Sequence, residues 1–192
     1  DKAITKNGFW TSQNDGKRIN RFLLFASAIF CACALLVKPT AGFLLLPIVY
    51  LAIKSKGLKS FLSPSLYLYA VITIMPLLLW RFWINQFPEG IPASDWLLNA
   101  GNIRFTGAFF RWMLAERLGK LILGYGGLGF FFLGIVIKPG KKEQWLFWSM
   151  LAGIILYVTI FARGNVQHDY YQILILPAVA IFVAKGLAFL CL

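Results

Sequence analysis

The sequence predicts an all-α fold, a polytopic transmembrane helical bundle of about six membrane segments plus one interfacial amphipathic helix. Three observations carry that expectation. Of 192 residues, 59% are hydrophobic and 14% charged, with a mean hydropathy of +0.73; a soluble domain is nearer about half apolar and about a quarter charged. The apolar residues come in long blocks separated by short basic clusters, the pattern of a chain that enters a bilayer repeatedly. Eighteen Phe, seven Trp and seven Tyr add bulk for lipid contact and interface belts.

Residues 1–21 are polar and basic (Lys2, Lys6, Lys17, Arg18, Arg21) and read as a solvated loop. An apolar segment, 22–37, runs into Lys38-Pro39-Thr40, and a second apolar segment spans 41–53. Proline lacks a backbone donor and pushes the residue before it out of helical geometry, so this tripeptide reads as a turn between two short helices. Lys54, Lys56 and Lys59 form the next basic cluster, and segment 65–84 ends in Trp80, Phe82 and Trp83. Within the mixed stretch 85–120, apolar residues recur at helical spacing over 103–118 (Phe105, Phe109, Trp112, Met113, Leu118), with Arg104 and Arg111 seven apart. That is the pattern of a helix lying in the membrane plane with its apolar face in lipid. Segment 121–137 is crowded with Gly124, Gly126, Gly127, Gly129 and Gly134, small residues that permit close helix packing. Lys138, Lys141 and Lys142 precede segment 145–162, the polar stretch 163–172 and a last segment, 173–192, with Pro76 and Pro177 expected inside membrane segments.

Charge sets the expected topology. With two helices around Lys38, loops 1–21, 54–64 and 138–144 share one side and carry eleven of nineteen basic residues against three acidic ones (Asp1, Asp15, Glu143). The positive-inside bias then makes that side, and both chain ends, cytoplasmic. The turn at Lys38 and the loops 85–120 and 163–172 face outward. A single kinked helix over 22–53 would split the basic loops between the two sides. The whole of 1–192 reads as one transmembrane domain. It opens without methionine and stops inside an apolar run, so it is expected to be an internal piece of a longer chain. The net charge of +12 is accounted for by these flanking clusters, and no nucleic-acid-reading motif accompanies it. Cys31, Cys33 and Cys191 lie in apolar segments, as buried small hydrophobes do.

Few residues carry chemistry. The stretch Arg163–Gln172 holds the only histidine, His168, with Asp169, Tyr170 and Tyr171 beside it at a membrane boundary. His168 suits a phosphate donor or proton shuttle. Asp169 suits a base or an orienting partner, and the tyrosines suit a headgroup or an aromatic belt. One histidine with one aspartate is too few for a protein-only catalytic metal site. Arg104, Arg111, Arg117 and Lys120 either anchor the in-plane helix or meet an anionic headgroup through guanidinium forks. Lys38, alone between two apolar runs, either snorkels to the headgroups or pairs with an anion.

Two motifs add a resemblance. Ala34-Leu35-Leu36-Val37-Lys38-Pro39-Thr40, with Pro47 downstream, resembles the LLxKP turn of bacterial family 39 glycosyltransferases, relatives of protein O-mannosyltransferases and of the lipid A aminoarabinose transferase. His168-Asp169-Tyr170-Tyr171, with Pro177 following, resembles the HxYY…P element of the same group. The similarity covers roughly residues 20–190 and includes the order of segments. It implies a GT-C membrane glycosyltransferase that moves a sugar from a polyprenyl-phosphate carrier to a lipid or protein acceptor on the extracytoplasmic face of a bacterial or archaeal plasma membrane. It also implies that Lys38, His168, Tyr170 and Tyr171 line the carrier site. Lys38, Arg163 and an arginine of the in-plane helix (Arg104 or Arg111) are candidates to stabilise the leaving phosphate, in a reaction either metal-independent or assisted by a divalent metal. The family's acidic base lies in a loop that would precede this fragment, for which Asp169, Asp95 and Glu89 are poor substitutes, so the fragment alone is expected to be inactive. The competing readings are a transporter or flippase for a lipid-linked substrate and a non-catalytic membrane scaffold.

Overall fold

Prolines and glycines, more than changes in hydropathy, set where the helices begin and end. In the computed structural model, which describes residues 13–90, 95–138 and 144–191, every regular element is helical and no strand occurs among the described residues. The first helix, α1, runs Gln13–Val37. Residues 13–21, expected as loop, are therefore its opening turns; residues 1–12 and 139–143 of the basic loops lie outside the described residues. At Lys38 the backbone swings to an extended conformation (φ −149°, ψ 105°), and Pro39 opens a 3-10 turn, Pro39–Leu45. The helix α2, Leu46–Lys56, carries Pro47 in its first turn and stops at Gly57, whose φ of 63° a side chain would resist. A second 3-10 turn, Gly57–Leu62, leads into α3, Pro64–Ile84, which opens on Pro64 and contains Pro76.

Beyond α3 the elements shorten. Helices α4 (Trp96–Asn99) and α5 (Gly107–Phe110) flank a 3-10 turn, Ala100–Phe105, in which Gly101 and Asn102 take left-handed φ values of 69° and 53°. A π-helical stretch, Arg111–Ile122, continues α5. Gly124 and Tyr125, both at positive φ, then turn the chain by 116° into α6, Gly127–Val136. The last helices are α7 (Gln144–Ile160), α8 (Ala162–Gln167) and, after a 3-10 turn at Asp169–Leu174, α9 (Leu176–Leu190).

The six-segment bundle is corrected by these lengths. Among the described residues only α3 is long and apolar enough to cross a membrane, or two spans if Gly107–Ile122 and Gly127–Val136 are taken as one bent span. The other apolar helices, Arg21–Val37, Pro39–Ser55, Trp145–Ile160 and Leu176–Leu190, reach only about 22–26 Å at 1.5 Å per residue, short of the roughly 30 Å of a hydrocarbon core. A multi-pass chain with about six crossings is not what these helices support. The apolar blocks are real, but turns cut them. Segment 121–137 is broken at Gly124 and Tyr125, and segment 173–192 is α-helical only from Leu176. Pro177, expected inside a segment, sits in the first turn of α9. The in-plane helix also differs. It starts at Gly107, so Arg104 and Arg111 belong to different elements, and it buries Phe109, Met113 and Arg117 against the protein.

Packing is tightest between α6 and α9. A Cβ at Gly134 would collide with the Phe182 carbonyl, and one at Gly186 with the Phe130 carbonyl, so the two backbones touch. Of the five glycines crowding this segment, Gly134 makes that approach, whereas Gly129 faces open space. Around the seam, Phe131, Leu151, Ile154, Val179 and Phe182 form a core with Phe109 and Met113. Lys185, which has no acidic neighbour in sequence, donates to the Ile137 carbonyl at the end of α6 and lies 5.6 Å from the Trp148 ring. A cation there satisfies an orphan carbonyl and complements the helix dipole. At the other end of the molecule α1 lies along α3, with Cys31 Sγ 3.2 Å from Tyr69 Oη and Thr73 Oγ1 donating to the Ala28 carbonyl at 3.4 Å.

Candidate functional site

Lys38 and His168 both take extended backbone between helical elements. His168 (φ −124°, ψ 130°) separates α8 from the 3-10 turn that carries Asp169, Tyr170 and Tyr171. The fold brings the two breaks together. Lys38 Nζ stands 4.2 Å from the centroid of the Tyr171 ring and 5.3 Å from that of Tyr170. The tyrosine rings lie 4.7 Å apart, His168 stacks on both at 5.3 and 6.0 Å, and Trp96 meets the imidazole edge-on at 5.5 Å. The result is a row of aromatic faces ending in an ammonium group. A cation over an aromatic face is attracted by the ring quadrupole, by about 0.5–2 kcal/mol depending on desolvation. No carboxylate pairs with Lys38 among the described residues.

Burial pushes the Lys38 ammonium below its ordinary pKa of 10.5. The Tyr171 hydroxyl moves the opposite way, up from 10.0, through burial and then through its hydrogen bond with Tyr170. Both shifts share their largest cause, a partly dehydrated site that disfavours charge.

Asp169 does not face this row as a free carboxylate. Arg117 Nη1 donates to its Oδ1, while Arg117 Nη2 donates to the Val166 carbonyl at 2.6 Å. The guanidinium is 10% exposed and the aspartate side chain 66%, so the pair reaches from the core to the surface. It fastens the His168 loop to the 107–122 helix. Below the loop, Gln172 Nε2 donates to the Asn165 carbonyl at 2.8 Å, Asn165 Nδ2 to Phe161 at 3.0 Å, and Tyr157 Oη to the Tyr171 carbonyl at 3.2 Å. Asn165 and Gln172 are buried, and their side-chain oxygens have no protein partner.

The remaining candidates are dispersed. Arg104 donates to the Ile160 carbonyl at 2.8 Å and so closes the end of α7. Arg111 is exposed, and Arg163 is half-buried on α8. Lys120 pairs loosely with Glu116 at 3.9 Å. Glu89 and Asp95 lie in the short elements after α3. No three His, Cys, Asp or Glu residues gather as a metal site among the described residues. Sequence reasoning missed Trp96 and the buried amides Asn165 and Gln172. The amides flank the His-Asp-Tyr-Tyr run in an otherwise apolar neighbourhood, which was the available signal. Trp96 had none, because its contact with His168 depends on how the 95–105 loop folds back.

No family model, no curated protein and no solved structure matches this chain.

Proposed function

We propose that the chain is part of a membrane-associated glycosyltransferase, and that the Lys38–Tyr171 cluster binds the phosphate of a polyprenyl-phosphate-linked sugar. The observation that supports the reading is a single one: Lys38 and His168–Tyr171 are far apart in sequence, yet the ammonium rests on the tyrosine faces with no carboxylate beside it among the described residues. A partly dehydrated cation without a counter-ion suits an anionic ligand, and the aromatic row suits a sugar or isoprenoid face. Lys38 would stabilise charge on the departing phosphate, with His168 as a donor beside it. Arg117 and Asp169, which hold each other, would position the loop. The base that deprotonates the acceptor would come from chain outside these residues, in keeping with the family 39 resemblance. The setting would be a bacterial or archaeal plasma membrane, with a lipid or protein acceptor.

Native mass spectrometry of the detergent-extracted protein with added polyprenyl phosphate tests this. Lys38→Ala and His168→Ala should each lower retention of the lipid by roughly tenfold, the scale of one charge-assisted contact. Equal retention by all three proteins would remove the cluster from the carrier site.

A further inference from the structure

The two halves of the Lys38–Tyr171 cluster come from distant parts of the chain, and both rest on α7. On one side, the Lys38 carbonyl accepts from the Ala41 N–H at 2.8 Å, which ties the lysine to the Pro39–Leu45 turn. That turn lies against α7. A Cβ at Gly153 would collide with the Phe43 carbonyl, so backbone meets backbone there. The Phe43 ring packs on Tyr157 at 5.8 Å and on Phe161 at 6.0 Å. Gly153, Tyr157 and Phe161 follow at four-residue steps, the spacing that places side chains on one helix face. On the other side, the Tyr157 hydroxyl donates to the Tyr171 carbonyl at 3.2 Å. Tyr157 is fully buried, and it touches the Lys38 turn with its ring and the Tyr171 backbone with its hydroxyl.

We propose that Tyr157 is a positioning residue for the anion site. Its ring seats the turn that carries Lys38, its hydroxyl holds the Tyr171 backbone, and together they set the spacing of the ammonium over the tyrosine faces. The inference rests on the carrier-phosphate reading of the cluster. Packing alone does not account for the hydroxyl, because phenylalanine would fill the same space and a buried hydroxyl is costly unless it is bonded. The bond it makes goes to Tyr171, whose ring is the nearer of the two to Lys38. What the hydroxyl adds is a directional tie between α7 and the turn that presents that ring.

The sole histidine supplies a geometric readout. His168 stacks on Tyr170 and Tyr171, so the ring currents of the tyrosines shift its carbon-bound protons. The full chain in detergent, isotope-labelled at histidine, gives one such magnetic-resonance signal for each variant, compared at one pH. Tyr157→Phe should move that signal toward the position of a free histidine. It should also lower retention of added polyprenyl phosphate in native mass spectrometry by roughly fivefold, the scale of one neutral hydrogen bond. Gly153→Ala should lower retention too, by pushing Phe43 and its turn off α7, yet leave the His168 signal in place. Ile154→Val, a trim within the core on the same helix, should lower the melting temperature and change neither readout, which separates positioning from stability. A His168 signal unmoved in Tyr157→Phe would overturn the inference. So would full retention by Tyr157→Phe where Lys38→Ala loses the lipid. If Lys38→Ala retains the lipid as well as the wild type does, the carrier reading itself fails, and the His168 signal alone decides whether Tyr157 sets the cluster.

Discussion

Two helix pairs in this protein use the same device with different consequences. In α6–α9, Gly134 and Gly186 let the backbones touch, and Phe131, Trp148 and Phe182 close over the seam as a second layer. In α1–α3 the seam is also made of small and polar residues, Ala28, Ala32 and Thr73, all buried. There the second layer is absent from the outer faces. Phe22, Phe30, Leu68, Leu79 and Phe82 are exposed, and only 11% of the apolar stretch of α3 is buried within the protein. One pair has its seam closed over by its own chain, although Phe132, Val136 and Phe189 stay exposed on its outer faces. The other presents apolar surface that water disfavours, and it includes the one helix among the described residues that is by itself long and apolar enough to cross a membrane.

The sharpest way to break that contrast is Gly134→Leu. The added side chain has the Phe182 backbone in its path, so unfolding in detergent should show a loss of about 3 kcal/mol or more. Gly129→Ala in the same helix meets nothing and should stabilise by up to about 1 kcal/mol. If the two variants melt alike, the seam is not where α6 and α9 meet. A second, smaller effect belongs to the loop that α8 and α9 bracket. Arg117→Met removes the donors to Asp169 and to the Val166 carbonyl. Because the aspartate is largely solvated, the cost should be about 2 kcal/mol, most of it from the buried carbonyl left unpaired. On the α3 side, Leu79→Ala should move the detergent melt by less than about 0.5 kcal/mol. It should still weaken partitioning into lipid vesicles, because most of the side chain is exposed. A melt that falls as far as for Arg117→Met would mean α3 packs against more protein than α1.

The positions of the apolar blocks were legible in the sequence because burial and lipid both select the same residues. Their lengths were not. Hydropathy does not register that Gly124 and Tyr125 take positive φ or that Pro177 starts a helix instead of kinking one, so continuous apolar runs were read as spans. The break at Lys38 was legible because proline states its own geometry. The meeting of Lys38 with Tyr170 and Tyr171 came into view through family resemblance and not through periodicity. The pairing of Asp169 with Arg117 was hidden, since four cations near the in-plane helix were equivalent by spacing alone, and the π-helical winding of 111–122 shifts which of them faces inward.

The smallest expected effect asks whether the aromatic cluster is dry, as the α6–α9 core is, or wet, as the faces of α3 are. Folding dehydrates Lys38 and lowers its pKa from 10.5. The folded state therefore prefers the neutral amine, and the charged form carries a penalty at neutral pH. As pH rises through the lowered midpoint toward 10.5, the folded lysine loses its proton before the unfolded one, the penalty is relieved, and stability rises. Tyr171 has the opposite sign. Its hydroxyl is pushed above 10.0 in the folded state, so from about pH 10 upward the unfolded chain ionises first and stability falls. Measurements from pH 8 to just below 10 isolate the lysine. There the melting temperature of the wild type, taken relative to Lys38→Met, should climb with pH. A difference that stays flat would mean that water reaches the ammonium as freely in the folded protein as in the unfolded chain, and a bound anion would then gain little from this site beyond what an exposed surface lysine offers.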